Sequence, residues 1–197
     1  MRHMKKRLLY CALLTLLISM VVSSTLAYFT DRARVRNVIT FGTVDVSVVE
    51  KMLDGSGDPV DYPKDPIGAM PGRSYSKIVM AQAAPETEDS YVRLKVEITV
   101  LREDGSVMPH TREQLDAVIT LDYNTADWDY RDGWWYYDET ISDSELTDPL
   151  FEKVSFSGPN MGNAYQSATI LIDVTAQAVQ AANNQTSALK AVGWPAD

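Results

Sequence analysis

Apolar and polar residues alternate with a period of two along much of this chain. Val44, Val46 and Val48 alternate with Asp45 and Ser47, the signature of a half-buried strand. The clearest case is Tyr91 to Val100. There Val92, Leu94, Val96, Ile98 and Val100 point one way, and Arg93, Lys95, Glu97 and Thr99 the other. Ala168 to Ala178 repeats the pattern, with Ile170, Ile172, Val174 and Ala176 inward and Thr169, Asp173, Thr175 and Gln177 outward. Ser76 to Ala81 and Val118 to Tyr123 are shorter strands of the same kind. Asp132-Gly133 lies between the aromatic runs Trp128–Tyr130 and Trp134–Tyr137, which predicts a tight hairpin.

Helical signals are few. Thr111-x-x-Gln114 has the form of a capping box opening a turn or two through Ala117. A second short helix is expected over Ser187 to Val192, ending at Gly193. Turn residues fall at Asp54 to Pro59, Tyr62 to Gly72, Asp104-Gly105 and Ser157 to Pro159. Many short strands with regular turns and little helix indicate one all-β domain, a jelly-roll-like antiparallel β-sandwich.

The first residues follow a different logic. Arg2, Lys5, Lys6 and Arg7 precede an apolar run from Leu8 to Val22, which gives way to Ser23-Ser24-Thr25-Leu26-Ala27. A basic start, an apolar centre and small residues at Thr25 and Ala27 form a secretory signal helix over 1–27, cut between Ala27 and Tyr28. The alternative is retention as an anchor, since Leu8 to Phe29 carries no charge and is long enough to span a bilayer. In the cleaved form the membrane is met only through the leader, and the domain occupies 28–197.

Composition narrows the function further. The 197 residues carry a formal charge of −9, which argues against a nucleic-acid partner bound through a basic face. Cleavage removes four bases and no acid, bringing the charge to −13. It also removes Cys11 and His3, leaving no cysteine and a single histidine, His110. That composition provides no disulfide, no Cys/His zinc cluster and no Cys-His nucleophile pair. A secreted domain of this size must therefore be held by its core alone.

Several local motifs have ordinary readings. Ser74-Tyr75-Ser76-Lys77 contains Ser-x-x-Lys, but the Ser-Asp-Asn and Lys-Thr-Gly partners of that chemistry are missing and the segment reads as a strand. Asp54, Ser56 and Asp58 follow EF-hand spacing with Asp65 at the twelfth position. Pro59 replaces the required glycine, so a solvated acidic loop is expected. His110 follows Pro109 in a polar loop and is expected at the surface. Asn184-Gln185-Thr186 is a glycosylation sequon only in a pathway that glycosylates. Neither catalytic nor metal-ligating residues are assigned, and no cofactor is implied.

The aromatic hairpin is the remaining candidate surface. Strand alternation would expose about half of its rings. Trp128, Tyr130, Trp134 and Trp135 are thus candidates either for cross-strand packing or for stacking sugars or a partner.

Thr25-Leu26-Ala27-Tyr28-Phe29-Thr30-Asp31, followed by Asn37 and Phe41-Gly42-Thr43-Val44-Asp45-Val46, resembles the start of camelysin and TasA-like proteins. Met70-Pro71-Gly72, Tyr91 to Val96, Asp132 to Tyr137, Pro149-Leu150-Phe151 and Ala176 to Gln180 are similar to the same group. The resemblance covers nearly the whole chain. It implies a jelly-roll sandwich exported from a Gram-positive-type bacterium, with a leader cut by a SipW-type signal peptidase. It also implies a structural role in extracellular or cell-surface fibres and the biofilm matrix, with identical or related subunits as partners. Camelysin is classed as a metallopeptidase, but the mature chain lacks the three ligands and general base that such chemistry needs. A monomeric surface peptidase and a carbohydrate-binding module stand as alternatives. Within the fibre reading, Tyr28, Phe29, Ala33 and Val35 belong to a 28–36 arm donated as a strand to the next subunit's sheet edge, the alternative being an ordinary edge strand of its own domain.

Overall fold

The longest alternating segments become the longest strands. A computed structural model describes residues 44–64 and 69–196. The leader, the Ala27–Tyr28 junction, the arm residues Phe29, Ala33 and Val35, and Asp65 lie outside the described residues. Among the described residues, no helix is long and apolar enough to cross a membrane.

The strands are β1 (Val46–Leu53), β2 (Pro59–Asp61), β3 (Ser74–Ala83), β4 (Ser90–Leu101), β5 (Ile119–Leu121), β6 (Trp128–Arg131), β7 (Trp134–Ile141), β8 (Phe151–Phe156) and β9 (Thr169–Gln180). They form two antiparallel sheets, ordered β2-β1-β3-β8-β5 and β6-β7-β4-β9. The chain crosses between the sheets repeatedly, giving the jelly-roll-like sandwich that the turn spacing predicts. Residues of the inner faces interlock between the sheets. Val79, Val92, Leu94, Leu150 and Phe151 have no exposed surface at all, and burying each such side chain contributes about 1.5–3 kcal/mol.

Helix α1 (Arg112–Val118) sits between β4 and β5. Its capping box is complete: the Gln114 N–H donates to Thr111 Oγ1 at 3.3 Å, and the Thr111 N–H donates to Gln114 Oε1 at 2.9 Å. The expected Ser187–Val192 helix is a single 3-10 turn, Ala188–Lys190. The Asn184 side chain explains the shortfall, since its Oδ1 accepts from the Val192 N–H at 3.0 Å and its amide donates to the Val192 carbonyl at 3.0 Å. That clamp fixes the segment as a loop. The β6–β7 turn has φ of +51° at Asp132 and +87° at Gly133, the doubly left-handed geometry that matches strand twist in a two-residue hairpin.

One expectation fails in a consistent direction. Arg93 and Gln177 point away from the main core, as alternation predicts, but both are buried. The C-terminal segment 181–196 covers this outer face with Ala188, Ala191, Leu189 and Trp194, packed on Tyr91, Trp134, Tyr136 and Val179. The Arg93 guanidinium lies 4.1 Å from the Trp134 ring centroid and 4.7 Å from that of Trp194. It donates to Gln177 Oε1 from Nη2 at 2.6 Å and from Nε at 2.9 Å, to Tyr136 Oη at 3.2 Å and to the Pro195 carbonyl at 3.2 Å. A desolvated cation is tolerated here because planar rings and neutral acceptors surround it.

Candidate functional site

The hairpin rings are mostly structural. Trp128, Trp134 and Trp135 are 2, 4 and 7% exposed, and only Tyr130, at 53%, meets solvent among the four candidate residues. The expectation that half of the rings are exposed is therefore corrected. Trp128 and Trp135 enter the main core, whereas Trp134 is covered by the C-terminal segment. Tyr123 stacks on Trp135 at 4.3 Å. Trp128 lies 5.0 Å from Tyr137 and donates its indole N–H to the Asp148 carbonyl at 3.2 Å. Burial pushes the Tyr137 phenol up to about 12, and its O–H donates a hydrogen bond to the Asp148 carboxylate at 3.0 Å.

The other motifs have local structural roles. Ser74 and Lys77 lie on β3, as the strand reading requires. Ser74 Oγ shares a 2.8 Å hydrogen bond with Ser155 Oγ. Lys77 is almost buried and pairs with Glu50 at 2.7 Å, its ammonium 3.8 Å from the Tyr62 ring centroid. Burial and the nearby Glu50 carboxylate raise the Tyr62 phenol. Asp54 Oδ1 accepts from the N–H groups of Ser56 and Asp58 at 2.8 and 3.0 Å. These backbone donors, Asp58 foremost, hold the Asp54 carboxyl below its ordinary value.

His110 is half-buried rather than free at the surface, because Nδ1 meets the Met108 carbonyl and Nε2 the Tyr165 hydroxyl, both at 2.8 Å. It lines a shallow depression with Met108, Gln114, Asn160 and Tyr165. Asn184 commits both side-chain atoms to the Val192 backbone, which leaves its amide engaged in the fold. Among the described residues, no group of three or more His, Cys, Asp or Glu side chains converges as a metal site.

The feature best suited to interaction is an edge. Strand β9 is last in its sheet, paired to β4 through all twelve positions without a bulge. Among the described residues, nothing pairs with its other side. Its inward residues Ile170, Ile172 and Val174 are only half-buried, as are Val96 and Ile98 on β4 and Val48 on β1, which lies against β9. Its outward Leu171 is 40% exposed. Soluble proteins protect long edges with prolines, lysines, bulges or a covering segment. Residues 169–180 contain no proline, no lysine and no bulge.

Alternation alone located β9, but its position at a sheet edge is a property of strand order and cannot be read from period. The Arg93 clamp was likewise hidden, because period assigns a face and not what covers it. The apolar residues Ala188, Leu189, Ala191 and Trp194 within the last seventeen positions were the available signal. Comparison with protein-family models, curated proteins and solved structures finds no match to this chain.

Proposed function

We propose that this chain is an exported structural subunit of extracellular or cell-surface fibres in a biofilm matrix. Subunits polymerise when the 28–36 arm of one copy is donated as a strand to the next. One observation supports the reading most strongly: the twelve-residue β9 edge, paired on one side among the described residues, beside an incompletely buried apolar seam. A strand laid there gains a full ladder of backbone hydrogen bonds and covers apolar surface at the same time.

The leader fits this role. A SipW-type peptidase would cut between Ala27 and Tyr28, and the tethered precursor would be unable to polymerise until export is complete. Negative-stain microscopy of the processed chain tests the reading. Filaments are expected, whereas a stable monomer at high concentration would overturn it.

A further inference from the structure

We infer that the donated arm docks on β9 in a fixed facing, steered by an acidic pair on the outer surface of the sheet; this inference rests on the fibre reading above. Glu97 on β4 and Asp173 on β9 are directly opposite each other in the ladder, both outward and both exposed. Like charges placed opposite one another in a sheet are unfavourable. The nearby Lys95 ammonium, 3.5 Å from Glu97, supplies one positive charge against two negative ones. The residual negative charge lies beside the open edge.

The arm carries the complementary pattern. As a strand, residues 29, 31, 33 and 35 share one face and residues 28, 30, 32, 34 and 36 the other. The first face holds Phe29, Asp31, Ala33 and Val35, and the second Tyr28, Thr30, Arg32, Arg34 and Arg36. One facing suits both surfaces better, at the cost of turning one carboxylate, Asp31, toward the apolar side instead of three guanidinium groups. Phe29, Ala33 and Val35 then turn toward the half-buried Ile170, Ile172 and Val174, while Arg32, Arg34 and Arg36 lie on the side of Asp173 and Glu97. The opposite facing would place three guanidinium groups over the apolar seam, at a large desolvation cost. Nine residues span about 30 Å in extended form, which fits within the twelve-residue edge. The occupant is thus the arm of a second copy, and its arginines set the facing and the encounter rate.

Two charge-reversed forms of the processed chain test this. One carries Glu97→Lys and Asp173→Lys, and the other carries Arg32→Glu, Arg34→Glu and Arg36→Glu. All five positions are exposed or in the arm, and far-UV circular dichroism verifies folding of each form. Each form alone should need at least about tenfold more protein to make filaments. An equimolar mixture should recover filaments, because each arm then meets an edge of opposite charge on the other chain. If the Lys form polymerises as the parent does, β9 is not the acceptor. If the mixture fails although both chains are folded, pairing between chains by these charges is wrong. Should either form misfold, the neutral versions (Glu97→Gln with Asp173→Asn, and the three arginines to Gln) are measured instead. They are expected to flatten the ionic-strength dependence of assembly, and an unchanged dependence would overturn the inference. If removal of Tyr28–Arg36 leaves assembly intact, strand donation by the arm is wrong and this inference falls with it; if that removal blocks assembly while β9 reversal does not, only the docking site is wrong.

Discussion

Leu94 and Arg93 are neighbours on one strand, and each shows a different limit of reading by period. Leu94 has no exposed surface, and Leu94→Ala should cost about 2–5 kcal/mol through lost transfer energy and the cavity left behind. Lys95→Ala, on the partly open outer face, should stay within about 0.5 kcal/mol. Alternation alone would predict the same small effect for Arg93→Ala. The structure instead predicts about 2–3 kcal/mol, because the change removes a cation stacked between two tryptophans and leaves buried acceptors unpaired. Chemical denaturation of the three variants, with tryptophan fluorescence as a second probe, checks the order. Tyrosines supply a pH test. Tyr62, Tyr123 and Tyr137 are all held above the ordinary phenol value, in each case chiefly by burial. A raised folded value favours the neutral form in the native state, so this contribution is complete below about pH 10 and is lost as pH rises further. Absorbance titration should show phenolate from Tyr137 emerging near pH 12, with stability falling across the same window.

At the scale of elements, the local chemistry of turns and caps was legible. The Asp132-Gly133 hairpin and the Thr111–Gln114 capping box both form where their residues predict. Gly133→Ala should cost about 1 kcal/mol or more, because φ of +87° strains any residue with a Cβ. Thr111→Ala should cost about 1 kcal/mol from loss of the cap, and thermal unfolding measures both. What the sequence did not disclose was which element covers which. The tail from Ala181 onward reads as a loop with one short helix, yet it buries one face of the aromatic hairpin and so removes Trp134 from the candidate surface. The β6–β7 ladder gives every ring a side, but only the packing of two separate clusters decides that both sides are closed. Tyr130 shares the inner face with Trp135, its partner in the ladder, and stays exposed because it lies on the short strand β6 at the edge of the sheet.

For the whole molecule, the sandwich class followed from strand count and turn spacing, and the exposed β9 edge emerged only from the order of strands. Processing supplies a direct check on the leader: mass spectrometry of the secreted form should give Tyr28 as its first residue. Replacing Ala27 with a bulky residue should leave the chain membrane-bound, because signal peptidases require a small side chain before the cut. The central claim is that residues 28–36 act between subunits. It is tested most directly by deleting Tyr28 to Arg36 from the processed chain and recording far-UV circular dichroism beside electron micrographs. The account predicts a folded, soluble monomer with a near-parental β spectrum and no filaments. Filaments formed by the truncated chain would contradict it, and so would loss of the fold, which would place the arm as a strand of its own domain.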